Sequence, residues 1–433
     1  MKLGLSGNLT RATITSPLTP LALLAAIVVG LIALVTIPRE EEPQISVPMV
    51  DILLQADGLK APDAVELVTK PLEAIVKGID GVEHVYSQTE DDRAMVTARF
   101  LVGTDADDAI LRVHEKLRAN MDQIPVGIPE PLVVGRGIND VAIVTLTLSP
   151  EPGENARWTG RDLYQVAEEL RMELVKVEDI GLSFISGGTP AQIRVEPDPE
   201  KLSLFGVTLQ QLIGKVQGAN RSFLAGAVRD AGGMRAVVAG QTLTGVPDIG
   251  LLLLTTRDGR PVYVRDVAEV VVDERPQEAR VWTLAPDERG NWQAAPAVTL
   301  AIAKRAGANA VVVAENILHR LETLEGRLIP DGIRVEVTRD YGETANEKAN
   351  ELLFHLALAT VSIVVLIALA IGWREALVTL VVIPTTILLT MFAANLMGYT
   401  INRVSLFALI FSIGILVDDA IVVVENIARH WAM

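Results

Sequence analysis

Hydrophobic positions in this chain cluster into four long runs, at 17–37, 352–372, 376–396 and 404–427. A helix needs about 20 mostly apolar residues to cross a bilayer core, and each run is long enough. The first run exceeds the apolar core of a cleaved signal peptide. It ends at Pro38-Arg39-Glu40-Glu41-Glu42 in place of a small-residue cleavage site, so it reads as an uncleaved membrane helix. Pro384 lies inside the third run. A membrane helix tolerates proline where neighbours satisfy the freed carbonyl.

Residues 39–350 contain no further run of this kind and alternate strand-like with helix-like stretches. Residues 46–55 are β-rich. Residues 61–77 predict a helix with Pro62 in its first turn, where the missing N–H does no harm. Strands are predicted at 82–89 and 94–101 around the polar turn Glu90-Asp91-Asp92-Arg93, followed by a helix over 105–121. This order is that of a split βαβ, ferredoxin-like unit. A second set follows, with a strand at 141–148, a helix at 160–176 and a strand at 191–196. Strand, helix and strand then recur at 297–303, 309–324 and 333–338. Gly103-Thr104-Asp105-Ala106 and Gly307-Ala308-Asn309-Ala310 each precede a helix that ends in Ile-Pro. Glycine and proline stand 22 residues apart in the first and 23 in the second. Glycine starts and proline stops are common helix punctuation. The shared spacing with a shared ending favours a duplicated αβ unit.

Residues 197–275 interrupt the second set and read as a subdomain of their own, with a short helix at 208–216 and strand-like ends at 251–255, 262–264 and 267–272. A hairpin tip is predicted at Val228-Arg229-Asp230-Ala231-Gly232-Gly233-Met234. Basic residues in the short flanks set the orientation. Lys2, Arg11, Arg374 and Arg429 fall on one side and Arg403 on the other, which puts both termini in the cytoplasm and residues 39–350 outside.

Half of the 433 residues are apolar, only 4% are aromatic, and the mean hydropathy is positive. That suits a membrane protein with a large water-exposed part. A net charge of −16 argues against nucleic acid, which needs a basic face. There are no cysteines, hence no disulfide and no thiolate metal site. Five scattered histidines lack zinc-ligand spacing. No phosphate-cradling Gly-Lys-Ser/Thr motif points to ATP. His355 is an ionisable residue in the second run, and a position near the outer interface is its plainest account.

The most informative chemistry lies in Gly414-Ile415-Leu416-Val417-Asp418-Asp419-Ala420-Ile421-Val422-Val423-Val424-Glu425-Asn426. A charged side chain at mid-bilayer depth costs roughly 2.5–3.5 kcal/mol on insertion scales, so acidic residues there are rare and usually functional. A buried soluble helix ending in a polar pair is the plainer alternative, but three companion runs of membrane length weigh against it. Dry surroundings and an adjacent like charge both oppose ionisation of a carboxylate, so a pair so placed is suited to taking up and releasing a proton.

This pattern resembles the resistance-nodulation-division (RND) efflux permeases, in their hydrophobe and amphiphile efflux branch. The Asp-Asp motif carries most of the resemblance. Ile37-Pro38-Arg39-Glu40-Glu41-Glu42-Pro43, Gly103-Thr104-Asp105-Ala106 and Gly398-Tyr399-Thr400-Ile401-Asn402 add to it. It implies an α+β membrane protein of four transmembrane helices and a periplasmic domain of ferredoxin-like βαβ porter subdomains with an inserted docking subdomain. The implied divisions are 1–38 (cytoplasmic N-terminus and first helix), 39–135 (first porter subdomain) and 136–190 with 275–340 (second porter subdomain). Residues 191–274 correspond to the docking subdomain and 341–433 to the remaining helices. Asp418 and Asp419 match the proton-relay aspartates, and Phe184 lies near a position that lines the drug pocket in relatives, although a lone Phe at a strand end is more often core.

The resemblance implies proton-driven export of amphiphilic or hydrophobic compounds across the bacterial inner membrane, without enzymatic turnover or a cofactor beyond the proton motive force. The partners it implies are a homotrimer, a periplasmic adaptor and an outer-membrane channel. Family members are about twice this length, and their relay lysine lies in the second half. The expectation is therefore an N-terminal portion that is inactive without a C-terminal half. RND-type metal-ion or protein-export antiport, and a non-transporting membrane-anchored ligand-binding module, are the alternatives. The dispersed methionines speak against a metal path.

Overall fold

The computed structural model describes residues 5–41, 43, 45–155, 157–230, 232–257, 259–276, 279–286 and 292–431. A short helix α1 (Leu5–Thr13) precedes the apolar α2 (Leu18–Thr36). The first αβ unit then runs β1 (Met49–Gln55), α3 (Ala61–Ala64), α4 (Lys70–Lys77), β2 (Val82–Glu90), β3 (Arg93–Phe100), α5 (Ala106–Ala119) and β4 (Leu132–Arg136). All its strand pairs are antiparallel, in the order β2-β3-β1-β4. In β1 the alternation of apolar residues turns Val50, Ile52 and Leu54 into the core, where they meet Val68, Leu72 and Val76 of the helical layer.

The single helix expected over 61–77 is divided. A π-helical turn, Val65–Thr69, joins α3 to α4. Pro71 stands at the start of α4 and has no N–H to give to the preceding turn. The ladder widens there, as such bulges do.

The second unit has β5 (Ala142–Pro150), α6 (Gly160–Leu174) and β6 (Ile180–Gly187). An insertion follows, with β7 (Ala191–Pro197), α7 (Pro199–Phe205), α8 (Leu209–Ala219), β8 (Arg221–Asp230), β9 (Gly233–Gln241), α9 (Val246–Gly250), β10 (Leu253–Arg257), β11 (Arg260–Tyr263), α10 (Val264–Val267) and β12 (Ala268–Glu274). Strands β7 and β12 pair antiparallel and carry the chain out and back. β8 and β9 form the long hairpin, and the predicted tip falls between them, with Ala231 outside the described residues. The unit resumes with β13 (Val281–Pro286), β14 (Trp292–Lys304), α11 (Ala310–Leu324) and β15 (Ile333–Asp340). β14 pairs with β6 on one side and β5 on the other, and β5 pairs with β15, giving β6-β14-β5-β15. This is the strand order of the first unit repeated.

Local signals repeat as well. Asp105 caps α5 by accepting from the N–H groups of Asp107 and Asp108, and Asn309 caps α11 by accepting from Val311 N–H. Gly103 (φ +86°) and Gly307 (φ +76°) precede the two caps in a left-handed turn that a side chain would strain. α6 starts with a reciprocal box between Thr159 and Asp162.

Three further apolar helices follow directly: α12 (Tyr341–Ala370), α13 (Trp373–Leu396) and α14 (Arg403–Trp431). Together with α2 they make four helices long and apolar enough to cross a membrane. α2 packs closely on α13, and Ile37 after α2, Leu356 of α12, Ile383, Ile387 and Met391 of α13 and Leu406 of α14 form one buried apolar cluster.

Candidate functional site

α14 is fixed at its first turn. Asn402 Oδ1 accepts from Ser405 N–H at 2.9 Å, and Ser405 Oγ accepts from Asn402 N–H at 2.9 Å. Leu406, Leu409, Ile410 and Ile421 turn one stripe of the helix onto the other membrane helices. Asp418 lies off this stripe and is exposed among the described residues. The side chain of Asp419 lies outside them, although its backbone is helical. At 1.5 Å per residue Asp418 stands about 22 Å along α14 from Arg403 and about 16 Å from Arg429, so the basic residues of this helix are at its ends. Glu425 follows Asp418 by two turns and falls on the same face.

A second group of residues connects these helices to the αβ units. The strap that leaves α2 is stitched to the α13–α14 turn. Ile401 N–H donates to Pro38 O (2.9 Å), Glu40 N–H to Ile401 O (2.8 Å) and Arg403 N–H to Glu41 O (3.1 Å). Thr400 Oγ1 donates to Glu40 Oε2 at 3.3 Å. Arg39 donates to Asn346 and Asn350 of α12. Lys304, the last residue of β14, brings its Nζ to 2.9 Å from Glu40 Oε1, and both side chains are almost fully buried, at 5% and 2% exposure. The sequence reading missed this pair. Its signal was a lysine closing an otherwise apolar strand and an acidic run directly after a membrane helix.

The third candidate is the face of the second sheet turned away from its helices. Val298, Leu300 and Ile302 of β14 and Val144, Leu146 and Leu148 of β5 fill the core, so their neighbours in the strands point the other way. Phe184 is on this open face, 46% exposed, opposite Ala301. It is thus not a core residue. Beside it a ladder of hydroxyls crosses three strands. Thr147 Oγ1 lies 2.9 Å from Thr299 Oγ1 and 3.0 Å from Thr338 Oγ1, and Thr145 Oγ1 lies 2.9 Å from Thr338 Oγ1. The structure does not bring Phe184 to the aspartates. The former belongs to a sheet and the latter to a membrane helix, and the strap with β14 lies between them. Among the described residues there is no group of three or more acidic or histidine side chains able to hold a metal ion.

The model of the AcrB/AcrD/AcrF family matches residues 10–433. The chain is similar to the multidrug resistance protein MdtC of Edwardsiella ictaluri (strain 93-146), with 28% identity over 415 residues, 95% of this chain and 39% of that relative. MdtC of Yersinia pseudotuberculosis serotype O:1b (strain IP 31758) is 28% identical over 416 residues, again 95% of this chain and 39% of the relative. The chain therefore spans about two fifths of the length of the curated relatives it matches.

Proposed function

Because this chain belongs to the AcrB/AcrD/AcrF family of RND efflux permeases, we propose that it takes part in proton-driven export of amphiphilic or hydrophobic compounds, with Asp418 and Asp419 as the proton-carrying pair. It is a multi-pass protein of the inner membrane. The observation that carries the proposal is the carboxylate pair deep within an apolar helix of membrane length. An uncompensated acid at that depth is costly enough that purely structural retention is a poor explanation.

In this reading residues 39–350 lie in the periplasm, by the asymmetry of basic flanks. The two αβ units act as ferredoxin-like porter subdomains, supported by their common strand order. The insertion faces an adaptor and an outer-membrane channel, and the working assembly is a trimer. The open face with Phe184 and the hydroxyl ladder contributes an amphiphilic lining, since aromatic and hydroxyl groups together suit molecules with one apolar and one polar end. A relay must alternate between protonated and ionised carboxylates, and a cation within about 4–6 Å favours the ionised state. We place that cation outside the described residues of α14, whose own basic groups stand at its ends.

The test replaces Asp418 or Asp419 by Asn in the protein at its natural full length, in membranes of an efflux-deficient strain. Ethidium retention should rise to the level of cells without the permease, with membrane protein amount unchanged. Wild-type pumping by either Asn variant would remove that residue from the relay.

A further inference from the structure

Glu40 and Lys304 are separated by 264 positions in the chain and meet at one buried point, between the strap after α2 and the end of β14. At 2.9 Å the contact is close, yet neither Glu40 Oε1 nor Lys304 Nζ makes a hydrogen bond of good geometry with a described residue. The two groups are held together by charge and by where their backbones put them. A small cavity of about 50 Å³ adjoins them, lined also by Pro43, Ile138, Val141 and Tyr341. That is room enough for water to complete the remaining hydrogen bonds of the ammonium and carboxylate.

What each partner is fixed to gives the pair its meaning. Glu40 is bound through its own N–H, and through Thr400, to the turn that starts α14. Lys304 ends the strand that lies between β5 and β6, and it is in register with Ile180 at the start of the strand carrying Phe184. The covalent route from the membrane helices into the second sheet runs through β15 into α12, at the opposite edge. The ion pair is a second, non-covalent route, and it leads from the helix bearing the aspartates to the strand beside Phe184.

We infer that the buried Glu40–Lys304 pair is a positioning element that transmits movement of α14 to β14 and β6. The inference rests on the reading of Asp418 and Asp419 as the proton-carrying pair, and adds to it that a change in their protonation moves α14. A buried ion pair gives little net stability, because desolvation offsets its attraction, whereas a lone buried charge is strongly unfavourable. Removing both charges therefore separates transmission from folding.

The experiment uses the natural full-length protein in membranes, as Glu40→Gln/Lys304→Met and as the exchanged Glu40→Lys/Lys304→Glu. Ethidium efflux gives Vmax and KM, melting temperature and amount report folding, and hydrogen exchange of β14 and β6 amides is compared with and without Asp418→Asn. The neutral double variant should melt like the parent and keep KM within twofold, yet lose at least tenfold in Vmax. The exchanged variant should recover at least half of the Vmax. Asp418→Asn should alter β14 exchange in the parent and not in the neutral double variant. Parental Vmax in the neutral variant overturns the inference. If that variant does not fold, a folded exchanged variant with low Vmax overturns it and one with restored Vmax supports it. A parent that exports no ethidium sinks the transport reading instead. The exchange comparison then decides alone, and an Asp418→Asn signature that survives in the neutral variant overturns the pair's role.

Discussion

Gly30 in α2 is where the membrane helices approach most tightly among the positions that a Cβ would test. A methyl group there would stand 2.4 Å from Leu388 Cβ, 2.7 Å from Leu388 C and 2.8 Å from Leu388 O. Two of those three atoms are α13 backbone and cannot rotate aside. Restoring ordinary contact at 3.4 Å requires α2 and α13 to separate locally by about 1 Å. Two effects then oppose each other in Gly30→Ala. Alanine is the better helix former by about 0.8–1.0 kcal/mol. Overpacking costs about 1–3 kcal/mol. The separation also pulls on the bonds at the end of the contact nearest the αβ units, where Asn395 Nδ2 reaches Thr36 Oγ1 at 3.4 Å and Ile401 N–H reaches Pro38 O at 2.9 Å. A net intramolecular hydrogen bond contributes about 0.5–1.5 kcal/mol. With one such bond lost, the destabilising effects outweigh the propensity gain, and the expected result is a loss of about 1–3 kcal/mol.

The control is Gly214→Ala in α8, where nothing lies within 4 Å of the added methyl. Propensity acts there without a clash, and the expected result is a gain of up to about 1 kcal/mol. Thermal unfolding of both variants in detergent, followed by circular dichroism, gives opposite signs. Equal or greater stability in Gly30→Ala would refute the close approach of α2 and α13.

Two further substitutions test local arrangements in the αβ units. The Asp162 carboxylate is held below its ordinary value of 3.8, first by the Thr159 backbone N–H and then by the Thr159 hydroxyl. A lowered value means that the unfolded chain binds the proton more readily, so this contribution is present above about pH 4 and fades as the pH falls through the folded-state value. Thr159→Ala removes the side chain that accepts from Asp162 N–H at the start of α6 and should cost about 0.5–2 kcal/mol at neutral pH. Only the bond from the Thr159 hydroxyl to the Asp162 carboxylate titrates among those the variant loses. A melting series should therefore find the gap between variant and parent narrowing in part below that pH, and a gap independent of pH would remove that hydroxyl from the causes of the lowered Asp162 value. Thr147→Val should cost about 1 kcal/mol, because it takes the hydroxyl partner from Thr299, whereas Thr338 keeps Thr145. An unchanged midpoint in chemical denaturation would mean that water replaces it freely.

The parts of the fold written in short-range signals were legible in the sequence. The membrane helices were, because their run length is itself the physical requirement. So were α5 and α11, whose caps Asp105 and Asn309 act on N–H groups two or three residues ahead. The division of the helix at 65–69 was harder, since Pro71 also suits the first turn of a helix and only the observed ladder tells which role it takes. Lys304 and Glu40 were illegible as a pair. Nothing in a strand ending Ala-Ile-Ala-Lys names a partner 264 positions away, and the burial of both depends on the strap being stitched to the α13–α14 turn. For Phe184 the sequence makes a core position the commoner expectation, and its exposed face follows only from the register with Ala301, because one aromatic in a strand can sit on either face.

The repeat explains how one unit accepts a long insertion. In the first unit β2 turns tightly into β3 through Asp91 and Asp92, the latter at φ 64°. In the second, β6 and β14 occupy the corresponding adjacent positions, and the insertion replaces that turn. Two antiparallel neighbours present their ends close together, so any excursion that returns to its start leaves the sheet register intact, and the entropic cost of lengthening it grows only slowly. The excursion begins on the β7–β12 ribbon, which is fastened at its base. Thr189 Oγ1 donates to Glu274 Oε2 at 2.8 Å, and Arg275 N–H donates to Pro190 O at 3.0 Å. β14 reaches both regions. Its Val298 is paired with Gly187, where the chain leaves the sheet, and its Lys304 is paired with Glu40 on the strap. Six residues of strand span about 20 Å. A hydrogen-bonded strand flanked by β5 and β6 does not stretch over that length, so displacement of the strap end relative to the other strands must move β14 as a whole or break the ion pair. The burial of Glu40 and Lys304 favours the first outcome, because parting them would leave two unpaired charges in a site without bulk water.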